Sequence, residues 1–164
     1  MKIIYTALAV ALFTVPCTLH GQVTVKHLQP NEKSPIAAAV WAGDTLYVSG
    51  QTADPVTPAD PAKGTPAVYG DTKAQTLNVL TKIATLLKAQ GLDMKDVVKM
   101  TVFLAGDPDK GGRMDFAGLQ ASYRQFFGTP EQPNKPARSA MQVAALAAAG
   151  ALVEIEVIAV RGKQ

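Results

Sequence analysis

Cysteine is almost missing from this chain. Its one cysteine, Cys17, lies in the apolar N-terminal segment, so residues 22–164 contain no thiol. That removes disulfides, a cysteine nucleophile and thiolate metal sites from the body of the chain. Histidine is nearly as scarce, since His20 shares the same segment and only His27 follows it. A Ser-His-Asp triad or a zinc site with several imidazoles is therefore hard to assemble, and His27 is either a surface residue or works alone. No apolar run after residue 21 approaches the length of a membrane-spanning helix. A strong charge of either sign is also lacking. The formal net charge is +3, and Lys and Arg are scattered among acids with no basic stripe or interleaved aromatic platform, so no nucleic-acid partner is expected. Arginine, carboxylates, hydroxyls, backbone groups and water are left to carry any chemistry.

What is present begins with a leader. Lys2 supplies a short positive region, Ile3 to Val15 are almost wholly apolar, and Pro16 breaks the run before small or polar residues. This is the layout of a secretory signal peptide over residues 1–21, and the run is short for a membrane span. The competing readings are an uncleaved membrane anchor or a misassigned start codon. Pro16 stands where a lipoprotein signal has a small residue, which argues against lipidation of Cys17. The expectation is a periplasmic or secreted protein, free of the membrane after cleavage, or a cytoplasmic one if the start codon is wrong. Residues 22–164 suit one domain with one core.

Periodicity organises that domain. Val23–Leu28 alternates as a first strand, and Ile36–Trp41 and Thr45–Ser49 form a hairpin about Gly43-Asp44. Gln51–Gly70 holds Pro55, Pro58, Pro61 and Pro66 and reads as a long surface loop. Asp71 can cap a helix whose buried face is Ala74, Leu77, Leu80, Ala84 and Leu87, ended by Gly91. A strand follows over Val97–Leu104, with Val98, Met100, Val102 and Leu104 on one face. Phe116, Leu119, Tyr123 and Phe126/Phe127 mark a second amphipathic helix, and these aromatics read as core rather than as a cofactor box. Strands over Ala137–Val143 and Leu152–Val160 close the chain. The order β-β-β-α-β-α-β-β predicts an α+β two-layer sandwich, one sheet with two helices on one face.

One constellation carries a chemical signal. Glu154 and Glu156 share a face of the last strand, opposite the apolar Val153, Ile155, Val157 and Ala159. Two carboxylates on an otherwise apolar strand need a partner if buried, and Arg138 in the preceding strand is the obvious candidate. A structural ion pair, or glutamates facing solvent or a subunit interface, is the alternative.

Asn134-Lys135-Pro136-Ala137-Arg138-Ser139, followed by Val153 to Val160, resembles the C-terminal signature of the RidA/YjgF family, earlier described as L-PSP endoribonucleases. Ser34-Pro35, Val48-Ser49-Gly50-Gln51, Gly91-Leu92 before Val97 to Phe103, and Tyr123-Arg124-Gln125-Phe126-Phe127 agree in order and spacing. The resemblance covers about residues 23–161. It implies a chorismate-mutase-like fold assembled as a homotrimer, with ligand sites in clefts between subunits. It also implies hydrolysis of reactive imines and enamines to 2-oxo acids and ammonia, without metal or organic cofactor. On that scheme Arg138 anchors a substrate carboxylate through its planar fork of donors, and Glu154 positions water or handles protons. Ser49, Gly50, Gln120, Ala140 and Ile36 line the substrate site, with Gly50 and Ala140 offering backbone groups.

Three positions depart from the family pattern. Ile36 stands where catalytic members commonly have tyrosine, Gln120 where asparagine is common, and Ala140 where cysteine is frequent. The functions that follow are an imine/enamine deaminase, a non-catalytic trimer that binds small carboxylates or protects other proteins, and, third, a ribonuclease, for which no basic groove is visible.

Overall fold

The computed structural model describes residues 22–162. The expected leader lies outside the described residues. Eight main elements occur in the expected order: β1 (Val25–Leu28), β2 (Ala39–Ala42), β3 (Thr45–Thr52), α1 (Thr72–Ala89), β4 (Val97–Ala105), α2 (Phe116–Tyr123), β5 (Ala137–Val143) and β6 (Val153–Val160). They build one six-stranded sheet in the order β1-β2-β3-β6-β4-β5, with both helices packed on it. The two-layer α+β expectation holds.

Neighbouring strands are antiparallel except β4 and β5, which are parallel. A parallel pair needs a crossover, and α2 provides it. β6 then enters on the free side of β4, so β4 separates the last two strands, which do not pair as a C-terminal hairpin would. The reason is burial. Val153, Ile155, Val157 and Ala159 are all sealed, which demands a central position, whereas β5 is half-exposed along its length and takes the edge. Between the layers lie Leu46, Leu80, Ile83, Met100, Leu104, Leu119 and Ile155, all fully buried. Each such side chain contributes about 1.5–3 kcal/mol relative to exposure.

Several local expectations are corrected. The buried face of α1 is Thr72, Gln75, Thr76, Val79, Leu80, Ile83 and Leu87, while Leu77 is 41% exposed and Ala74 is also outside. Polar residues take inward positions there because their groups are satisfied. Gln75 Nε2 donates to the Gly70 and Gly150 carbonyls, and Gln75 Oε1 accepts from the Leu152 amide. In β4 the inward set starts at Val97, not Val98, because the register against β6 shifts between Val97 and Lys99. Helix α2 ends at Tyr123, and Phe126 and Phe127 pack from the turn after it. Val23 precedes β1, and Ile36 precedes β2 and is 62% exposed.

The Pro-rich segment is a loop, with structure of its own. Bridges join Thr57 to Val68 and Asp60 to Thr65. Lys82 Nζ, from α1, fastens its start by donating to the Thr52 carbonyl at 3.1 Å and to Asp54 at 2.7 Å. Among the described residues no helix is long and apolar enough to cross a membrane.

Candidate functional site

Arg138 sits on the edge strand β5, in register with Met100 of β4, which itself opposes Val157 of β6. Met100 and Val157 are buried in the helix-covered face, so Arg138 points to that side. There α2 meets it with a wall of rings. The guanidinium carbon lies 4.1 Å from the Tyr123 ring centroid and 5.8 Å from that of Phe116. Phe116, Gln120 and Tyr123 recur at the spacing that puts them on one helix face. Phe116 is 43% exposed at the mouth, whereas Tyr123 is buried and stacks on Phe127 at 4.9 Å. Burial pushes the Tyr123 phenol above its ordinary value of 10.0, and the positive charge of Arg138 offsets part of that.

Two polar atoms at this junction are sealed from solvent without a hydrogen-bond partner, Arg138 Nη1 and Gln120 Oε1. A buried unsatisfied donor costs about 1–3 kcal/mol, more when charged, so such groups point to a missing partner. Ala140, two residues along β5, packs its methyl against the core beside Val102 and leaves only backbone at the edge.

The remaining predicted residues gather elsewhere. Glu154 and Glu156 project from the helix-free face of β6, alternating with its buried positions. Opposite Glu156, β3 carries a bulge. Val48 pairs with Val157 and Gln51 with Ile155, so Ser49 and Gly50 together oppose one residue. The Glu154 side chain lies directly on Gly50. Ser49 Oγ donates to the Ala37 carbonyl at 2.7 Å and its amide to the Ala38 carbonyl at 3.1 Å, which ties the bulge to the chain just after Ile36. The surrounding concavity, about 440 Å³, is lined by Tyr47, Ser49, Lys99, Thr101 and Glu156 among others.

The predicted site residues therefore fall into two groups on one chain. Gln120, Arg138 and Ala140 form the first; Ile36, Ser49, Gly50 and Glu154 form the second. One strand, β4, and the thickness of the sheet lie between Arg138 and Glu154. The expected pairing of Arg138 with the strand glutamates is not made within the chain. Among the described residues the ion pairs are Lys63–Asp60 and Lys82–Asp54. The in-chain partner of Arg138 is the ring of Tyr123, which belongs to the core as expected and also faces the guanidinium. Its coincidence with Phe116 and Gln120 at helical spacing was the available signal. No group of three or more His, Cys, Asp or Glu among the described residues is arranged to hold a metal ion.

Two helices packed on one face of a mixed six-stranded sheet define a chorismate-mutase-like α+β protein. The profile of the family described as Endoribonuclease L-PSP matches residues 27–161. The chain belongs to that family, the RidA/YjgF proteins. A 2-iminobutanoate/2-iminopropanoate deaminase of Capra hircus is 41% identical over 133 residues, which cover 81% of this chain and 85% of that one. The crystal structure of the E. coli YjgF gene product is 35% identical, with a TM-score of 0.60 over 79% of this chain and 91% of that one. E. coli TdcF with bound serine is 33% identical, again with a TM-score of 0.60, over 79% of this chain and 90% of that one.

Proposed function

We propose that this protein hydrolyses reactive 2-imino and enamine acids to 2-oxo acids and ammonia, in sites shared between subunits of a homotrimer. The observation that carries this reading is that Arg138 makes no ion pair among the described residues and its Nη1 has no hydrogen-bond partner. A partly exposed guanidinium held against two rings, with no carboxylate paired to it among the described residues, keeps donors for a planar anion. A substrate carboxylate supplies one, with the charge-assisted geometry lysine does not reproduce. The bound serine of TdcF, itself an α-carboxylate, and the deaminase named among the relatives agree with that chemistry.

Gln120 Oε1 is a buried acceptor at the same junction, suited to an N–H of the imine. Glu154 belongs to the other half-site, so the reaction needs a neighbouring copy to bring it opposite Arg138. Glu154 then accepts a proton from water as the water oxygen adds to C2, and the C=N electron pair passes to nitrogen. Glu154 passes that proton to nitrogen. Collapse of the carbinolamine then forms the C=O and breaks C–N, as the hydroxyl proton also moves through Glu154 to nitrogen, which leaves as ammonia. Imines hydrolyse readily in water, so placing the reactants accounts for much of the acceleration required. With Ile36 in place of a phenol, the second half-site offers bulk rather than a donor. In this reading the leader directs the protein out of the cytoplasm, and its substrates are imines formed or delivered there.

The test is ammonia release from 2-iminopropanoate generated in situ by an amino-acid oxidase. The wild type is expected to outpace the spontaneous reaction, and Arg138→Ala to lose about 100-fold or more in kcat/KM while remaining folded. A wild type no faster than buffer overturns the reading. Saturable 2-oxo acid binding without turnover would instead leave a carboxylate-binding trimer.

A further inference from the structure

We infer that Gly50 is a positioning residue, whose missing side chain makes the floor on which the Glu154 carboxylate is held. The inference rests on the deaminase reading and changes what Gly50 does within it, from a backbone contact to substrate into a device for aiming Glu154.

The geometry is specific. The bulge at Ser49-Gly50 turns bare backbone toward β6, and the Glu154 side chain folds over it. A Cβ on Gly50 would stand 2.9 Å from Glu154 Cδ and 3.1 Å from Cγ, and it would overlap Oε1 outright. Gly50 is not among the glycines with positive φ, so its backbone conformation does not require glycine. What the position requires is the absence of a side chain. Three constraints converge on the carboxylate as a result: β6 fixes its root, the Gly50 backbone limits it from below, and the Ser49 hydrogen bonds keep that backbone in place. A general base gains from such restriction because proton transfer needs hydrogen-bond geometry to the attacking water.

The obstacle that a methyl at position 50 would meet is the end of a flexible side chain, not backbone. Gly50→Ala should therefore fold normally and turn Glu154 aside. Its crystal structure is expected to show the Glu154 carboxyl rotated off β3, with a melting temperature within about 4 °C of wild type. Turnover in kcat should fall about 10- to 1,000-fold, with KM changed no more than about threefold, because Arg138 still anchors the substrate. Added to Glu154→Ala, the same substitution should change neither residual turnover nor stability.

An unmoved Glu154 in Gly50→Ala overturns the inference. So does a loss that falls on KM, or one that recurs in the Glu154→Ala background, since either shows Gly50 meeting substrate directly. Glu154 displaced with kcat unchanged also overturns it. A wild type without deaminase activity defeats the preceding proposal, while the position of Glu154 in the Gly50→Ala crystal still decides whether Gly50 holds that carboxylate in place.

Discussion

Arg138 is oriented by rings rather than by a carboxylate, and that choice leaves its donors available. A strong ion pair in the chain would have satisfied the guanidinium and competed with any anionic ligand. The face of Tyr123 at 4.1 Å holds it without consuming a single N–H. Lysine at this position keeps the charge but loses the fork and the flat surface that stacks. Arg138→Lys should therefore resemble Arg138→Ala in kcat/KM rather than wild type, measured by the same ammonia assay.

Tyr123 yields a second test at this scale. Burial favours the neutral phenol and lifts its folded pKa above the ordinary 10.0. For an acid raised in the folded state, the stabilising contribution is complete below the unfolded pKa and is lost as pH rises through the folded one. Urea midpoints should accordingly fall above about pH 10, and fall less steeply in Tyr123→Phe. Parallel curves for the two proteins would show that Tyr123 does not titrate late.

Among the elements, α1 shows where periodicity misleads. Leu77 satisfies an apolar count but faces outward, while Gln75 is buried at 2% exposure. Gln75 bridges Gly70 and Gly150 with its amide nitrogen and receives the Leu152 amide on its oxygen, pinning the Ala144–Ala151 connection to the helix. Gln75→Leu preserves the volume yet strands those groups, and should lower the unfolding free energy by about 2–4 kcal/mol in urea titrations. A change under 0.5 kcal/mol would mean water replaces the amide at no loss.

The strands were more legible, because alternation in β4, β5 and β6 records a buried face directly. Their order was less so. That β4 lies between β5 and β6 depends on the handedness of the α2 crossover and on which strand can tolerate an edge, and neither is a local property. The Ser49-Gly50 bulge was equally hidden, since Val48-Ser49-Gly50-Gln51 reads as the end of a strand until β6 is laid beside it.

Over the whole molecule, the separation of Arg138 from Glu154 is the informative fact. Charge and spacing alone made them partners. The fold sets them on opposite faces of one sheet, so within a single chain they do not meet. Family resemblance names these residues as one set, whereas their division between two faces is topological. In the proposed trimer this separation would be an advantage, since each interface of a closed ring would join Arg138 of one copy to Glu154 of the next. The unpaired edge of β5 and the open concavity of the helix-free face are the surfaces such an assembly would cover.

Subunit complementation tests that arrangement most directly. Arg138→Ala and Glu154→Ala chains, each carrying a different affinity tag, are co-expressed, and mixed assemblies are isolated on both tags in turn. Each variant alone should keep only residual activity in the imine assay. Shared sites predict that mixed assemblies recover activity, to about a third of the wild-type rate per chain, because one of the three interfaces in every mixed trimer combines an intact Arg138 with an intact Glu154. Mixed assemblies no more active than the two separate variants would contradict it.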